Sequence, residues 1–190
     1  VLSRKKWTNC GIQRRVDVDQ AGISDGNAEF NSAAFALTSI FSSLSRINLS
    51  EENKIYFLRQ FQKDWILKLN GTQKKFTPYF PFQYIREDGL LDSTFVNTTA
   101  NIELRFAHNE RVLVDDNTRY LLGTERSPII TIGYTAALKG VLNGSFGYNK
   151  FYFNVRQSVN TGIMGHAFYY VKAAKYFGTV PFPSLDVHPG

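Results

Sequence analysis

The sequence predicts an all-β protein, an antiparallel meander that forms part of a transmembrane β-barrel. Three observations lead there: strict two-residue alternation through the second half, strands longer than soluble sheets use, and a composition both polar and aromatic. Phe occurs 16 times and Tyr 10 times among 190 residues, and aromatics reach 15%. That content excludes a disordered chain. Charged residues are 20% and mean hydropathy is -0.24, too polar for a helical membrane protein. A barrel tolerates such polarity, because every second strand residue faces its lumen. The longest uncharged run, residues 30–45, is short of the ~20 apolar residues of a spanning helix and is rich in Ser.

Taken in chain order, the first half is less regular. Gly11 to Asp19 fits a strand, with Ile12, Val16 and Val18 opposite Gln13, Arg15, Asp17 and Asp19, although Arg14 interrupts the apolar face. Residues 30–62 leave a choice. Leu37, Ile40, Phe41 and Leu44 have helical spacing, and Ser50-Glu51-Glu52 could cap a helix through Gln62. Ala33, Phe35 and Leu37 also alternate, and the β-rich surroundings favour strands. Trp65, Leu67 and Leu69 alternate with Lys68 and Asn70, and Asn70-Gly71 offers a turn. Pro78 and Pro81 cannot donate to a ladder, so residues 77–82 are a loop or a strand entry, not a central strand.

The second half alternates cleanly. Ile102, Leu104 and Phe106 oppose Asn101, Glu103 and Arg105. Ile130, Ile132, Tyr134 and Ala136 oppose Thr131, Gly133 and Thr135. Phe151, Phe153 and Val155 oppose Tyr152, Asn154 and Arg156, and Ala167, Tyr169, Val171 and Ala173 oppose His166, Phe168, Tyr170 and Lys172. Period two marks a strand with two unlike faces. Asp115-Asp116-Asn117, Leu142-Asn143-Gly144-Ser145 and the expected tight hairpin at Asn160-Thr161-Gly162 separate these strands.

Residues 148–159 and 162–177 exceed the soluble mean of ~5–6 residues and reach the ~9–11 of a tilted spanning strand. Aromatics near strand ends, Tyr148, Phe151, Tyr152, Phe153, Tyr176 and Phe177, suit interfacial girdles. On this reading Ile102, Leu104, Ile130, Ile132, Phe151 and Phe153 face lipid, and Glu103, Arg105, Arg156 and Lys172 face the lumen. Alternation alone fits a soluble barrel or sandwich with a polar outer face equally well.

Catalytic chemistry finds little support. His108, His166 and His188 have no partner at metal-ligand spacing, and the single Cys10 allows no intrachain disulfide. Asp17 and Asp19 share a strand face, for which a solvated or salt-bridged surface is the ordinary explanation. No serine sits in a nucleophile-elbow pattern, and residues 140–147 lack the Lys-Ser/Thr of a phosphate loop. We expect no enzyme activity, no metal and no cofactor. The formal charge of +6 is spread too widely for a nucleic-acid surface. A salt-bridge ladder is the ordinary account of the four lumen charges, a solute-selecting ring the functional one. Residues 178–190, rich in proline, suit a lumen plug, a partner contact or a surface loop.

Several stretches resemble an uncharacterised outer-membrane family of Bacteroidota whose members often carry an N-terminal carboxypeptidase-regulatory-like domain. They are Lys6-Trp7-Thr8, residues 17–22, Arg105-Phe106-Ala107, Asn109-Glu110-Arg111, Ser127-Pro128-Ile129-Ile130-Thr131, residues 174–183 and His188-Pro189-Gly190. The resemblance implies a C-terminal barrel in the bacterial outer membrane and no defined activity. It implies outer-membrane lipid as the surroundings and other envelope proteins as candidate partners. The regulatory-like domain is not within these residues, and relatives continue past the position of Gly190. We therefore expect residues 1–190 to be one barrel segment, incomplete at both ends. The function expected is a structural, transport or envelope-biogenesis role. The alternative is a soluble all-β binding module of a secreted or envelope protein, and an envelope enzyme is a distant third.

Overall fold

A computed structural model describes residues 7–20, 47–81, 83–85, 91–115, 118–124, 126–160, 162, 165–181 and 184–185. Among these residues eleven strands run in chain order: β1 (Thr8–Gln20), β2 (Ile47–Gln62), β3 (Trp65–Pro78), β4 (Tyr84–Ile85), β5 (Leu91–Asp92), β6 (Phe95–Ala107), β7 (Arg111–Asp115), β8 (Thr118–Gly123), β9 (Ile129–Ala137), β10 (Tyr148–Asn160) and β11 (His166–Gly178). Seven of them form one sheet in the order β1-β2-β3-β6-β9-β10-β11, and β4-β5 and β7-β8 are separate two-stranded hairpins. Every neighbouring pair is antiparallel. The sheet is thus an up-and-down meander with two hairpins inserted in its connections.

The alternation expected after residue 98 is realised in β6, β9, β10 and β11. The open choice over residues 47–62 resolves as strand β2, while residues 21–46, including the helical spacing at 37–44, lie outside the described residues. Burying one face of a sheet favours period two over a competing local helix signal, because β2 pairs along its length with both β1 and β3. Pro78 ends β3, where its missing N–H breaks no ladder.

Two expectations need correction. Asn70-Gly71 is not a turn but lies in the middle of β3, with Asn70 opposite Tyr56 and Asn101 and Gly71 opposite Ile55 and Ala100. The turn falls at Lys63-Asp64 instead, held by the Ala107 N–H donating to the Asp64 carbonyl at 2.9 Å. Secondly, Asn160 still belongs to β10 and pairs with His166, the first residue of β11, so the strands are not joined directly at Asn160-Thr161-Gly162; Thr161 itself lies outside the described residues. The connection between β9 and β10 contains the predicted Gly-rich loop. It includes a 3-10 turn at Val141–Asn143 entered through Gly140 at φ 77, a backbone angle that glycine adopts without steric cost.

Registers carry both faces of the sheet continuously across the strands. One face bears rows such as Leu67–Leu104–Ile132–Phe153 and Leu69–Ile102–Tyr134–Phe151. The other bears rows such as Lys68–Glu103–Gly133–Tyr152 and Asn70–Asn101–Thr135–Lys150. Exposure runs opposite to that of a water-soluble sheet. Ile12, Ile132 and Phe151 are 82%, 54% and 53% exposed, whereas Glu52 and Asn97 on the polar face are 5% and 7% exposed.

Apolar clusters close both ends of the polar face. At one end Phe76 stacks on Phe95 at 4.8 Å, and Phe146 meets Phe95 edge-on at 5.5 Å and Tyr84 at 5.1 Å. At the other, the buried side chains of Ile66, Ala107 and Ile129 lie near the β7-β8 hairpin, whose Val112 and Leu121 line a small cavity with Ile66 and Ala107.

Candidate functional site

The polar face between these two clusters is the candidate site. Its centre is a ring laid over a glycine. Gly133 of β9 stands opposite Glu103 of β6 on one side and Tyr152 of β10 on the other. Tyr152 crosses the whole of β9: its hydroxyl donates to Glu103 Oε2 at 2.7 Å and accepts from Asn101 Nδ2 at 3.2 Å. Only a missing side chain permits this crossing. A Cβ at Gly133 would lie 2.0 Å from Tyr152 Cζ. The same device recurs at β1, where a Cβ on Gly11 would lie 2.7 Å from the hydroxyl of its cross-strand partner Tyr56. Aromatic rings over strand glycines supply the packing that glycine lacks and help pin register.

Asn101 extends the network. It donates to Thr135 Oγ1 at 2.8 Å and to the Tyr134 carbonyl at 3.3 Å, and accepts from Asn70 Nδ2 at 3.4 Å. Polar groups of β3, β6, β9 and β10 are thereby tied together across the face. Gly133→Ala should expel the Tyr152 ring and forfeit its two hydrogen bonds, at about 1–3 kcal/mol for an overpacked site. Thermal unfolding of Gly133→Ala, Tyr152→Ala and the double variant checks this. The double variant should lose clearly less than the sum, because the ring that clashes is gone; strict additivity would contradict the contact.

The four lumen-facing candidates share this face and are all half-buried. Glu103 belongs to the tyrosine network. Arg105 forms a bidentate pair with Glu110, at 2.6 and 2.5 Å, with side chains 11% and 7% exposed. Arg156 stands opposite Tyr170, and Lys172 opposite Asn154. The four are not one ring: Glu103 and Arg105 lie on β6, and Arg156 and Lys172 on β10 and β11. The six lipid-facing candidates all lie on the opposite face. Ile102, Ile132, Phe151 and Phe153 are exposed, and Leu104 and Ile130 are half-buried.

The aromatics expected as a girdle divide between the faces. Phe151, Phe153 and Phe177 are on the apolar face, but Tyr148, Tyr152 and Tyr176 are on the polar one, because period two separates neighbours in sequence. The rings that do gather at the ends of the apolar face are Trp65 with Phe106 at 4.8 Å and Phe61 at 6.3 Å, and, at the other end, Phe151 with Tyr134 at 4.6 Å and Phe177 at 6.1 Å.

Sequence reasoning foresaw neither the Arg105–Glu110 pair nor a contact between His108 and Asp64. His108 Nδ1 lies 2.8 Å from Asp64 Oδ2, and the Asn109 N–H donates to Asp64 Oδ1 at 3.3 Å. This joins the turn after β2 to the end of β6. Lys63 Nζ donates to Asn109 Oδ1 at 2.8 Å beside it, so the group reads as a brace for the turns. The side chain of His166, and all of His188, lie outside the described residues. So do most of residues 178–190. The described part folds back over the polar face, where Pro181 is buried and Ser184 Oγ lies 3.4 Å from Asn97 Nδ2. Asn97 also donates to the Tyr148 hydroxyl at 2.8 Å. Among the described residues no three of His, Cys, Asp and Glu gather as metal ligands would.

Fold and site together define an antiparallel all-β protein whose sheet has a hydrogen-bonded, largely buried polar face and an apolar, largely exposed face. Residues 48–188 match the Family of unknown function (DUF5686) C-terminal domain, and the chain belongs to that family. Searches of curated proteins and of solved structures found no match.

Proposed function

We propose that this chain is the wall of an outer-membrane β-barrel, with its apolar face in lipid and its polar face lining the lumen. The observation that carries the reading is the inverted exposure of the two faces. Water-soluble sheets bury their apolar face, whereas here Ile12, Ile102, Ile132, Phe151 and Val171 are exposed while Asn48, Ser50, Glu52 and Asn97 are buried. Lipid is the solvent that makes this arrangement favourable.

Dimensions support the same reading. The seven sheet strands run from 9 to 16 residues, against ~9–11 needed to span the hydrocarbon at a tilt. On β9 the apolar belt extends from Ile130 to Ala136, roughly 20 Å at ~3.4 Å per residue, close to the ~25 Å apolar band of such barrels. Polar residues begin beyond it, with Arg14 opposite Asn53 and Glu51 opposite Lys75. Arg59 interrupts the belt three residues before the end of β2, where a long side chain can carry its charge to the boundary.

The connections favour one orientation. Two of the three at one end are short, residues 63–64 and 161–165, and those at the other include the longer 79–94 and 138–147. Barrels of this class put short turns on the periplasmic side and longer loops outside. The β7-β8 hairpin is then a periplasmic feature. Among the described residues β1 and β11 have one neighbour each. Closure requires these edges to be joined, directly or through further strands, since open edges are costly in hydrocarbon.

A soluble β-sandwich needs a second sheet to cover the apolar face, and the described residues hold no such sheet. The role we assign is structural or transport-related in the envelope, without catalysis. The full-length protein should fractionate with outer membranes, resist carbonate extraction and run faster on gels unheated than boiled. Recovery as a soluble monomer without detergent would overturn the reading.

A further inference from the structure

The charges of the polar face are unevenly distributed. On β2, β3 and β6 basic side chains meet acidic ones: Lys68 is the cross-strand partner of Glu103, Lys74 that of Glu52, and Arg105 pairs with Glu110. No Asp or Glu occurs between Glu125 and Asp186, a span that contains all of β9, β10 and β11. The charged residues which these strands place on the polar face are therefore all basic: Lys150, Arg156 and Lys172.

Two of them form a local constellation. Asn154 is the partner of Lys172 and Arg156 that of Tyr170, so Arg156 and Lys172 are diagonal neighbours, about 7–8 Å apart at the backbone. Asn154 lies between them, and its Oδ1 is buried with no hydrogen-bond partner. The other end of the amide, Nδ2, carries two N–H donors. Two cations with an amide between them form a cradle for an oxyanion, with charge-assisted hydrogen bonds.

We propose that the β9–β11 wall selects anions, and that Arg156, Lys172 and Asn154 form a subsite for a phosphate- or carboxylate-bearing solute. The inference rests on the lumen reading of this face and adds to it the sign of the solute. A lumen wall of one charge sign concentrates counter-ions and sets selectivity.

The test uses full-length protein whose insertion has first been established by heat-modifiable mobility. In planar phosphatidylcholine bilayers under a KCl gradient, the reversal potential should show anion preference. Arg156→Gln with Lys172→Gln should lower the anion-to-cation permeability ratio severalfold while leaving insertion intact. Bath phosphate should reduce chloride current in the parent protein and not in the double variant. Reduction by bath phosphate assigns the site to a soluble oxyanion, and reduction seen only after adding phosphatidylglycerol assigns it to a lipid headgroup. An inserted protein with cation preference, with no conductance, or with a ratio unchanged by the double substitution overturns this inference alone. Failure to insert overturns the lumen reading as well.

Discussion

Ile132→Arg is expected to block assembly, while Thr131→Arg one residue earlier is tolerated. Ile132 is central in the apolar row, between Leu104 and Phe153, and is 54% exposed. On the surface of a soluble protein that position would accept arginine with little effect, as most exposed sites do. In a bilayer a second lipid-facing arginine in the row that already holds Arg59 costs up to ~2–4 kcal/mol, the midplane value, and less toward the interfaces. Thr131 sits opposite Arg105 and Asn154 on the polar face, where a long cation can reach water. The yield of folded, heat-modifiable protein in outer membranes measures the difference. Equal yields for the two variants would contradict the assignment of faces.

Loss of the Glu110 carboxylate should have a comparably large effect by a different route. Arg105 lies on the polar face beneath the root of the β7-β8 hairpin, and its guanidinium is held by both Glu110 oxygens. With the side chains 11% and 7% exposed, neither charge is well solvated. Glu110→Ala leaves the guanidinium buried and unpaired, a change that costs about 3–5 kcal/mol. Replacing both residues by apolar ones of similar volume should recover much of that loss, because no orphan charge remains. Thermal unfolding in detergent reads both effects. A midpoint unmoved by Glu110→Ala would mean that water already solvates the pair.

The sequence disclosed the faces better than it disclosed the turns. All ten residues assigned to one face or the other by alternation fall on two opposite faces, because period two is a local property that survives without knowledge of neighbours. Asn70-Gly71 misled because the same dipeptide that suits a two-residue turn also fits a row of small side chains: Gly71 lies beside Ala100, which lies beside Ala136. Lys63-Asp64, the actual turn, has no glycine, and is stabilised by contacts with residues 107–109 that no local pattern announces. The tyrosines were misplaced for a related reason. Counting aromatics near strand ends ignored which face each occupied, and Tyr152 over Gly133 depends on register between two strands. The acid-free span from residue 126 to 185 was visible in the sequence, but its meaning required knowing that β9, β10 and β11 adjoin.

Single cysteines along β9 test the central claim most directly. In a Cys10→Ser background, a fluorophore is attached in turn at positions 130, 131, 132, 134 and 135 of the full-length protein in bilayers. Labels at 130, 132 and 134 should be quenched by nitroxide lipids and shielded from iodide, and labels at 131 and 135 should show the reverse. Iodide quenching at 130, 132 and 134, with no response to nitroxide lipids at any position, would contradict the barrel account and leave a sheet that meets water on its apolar face.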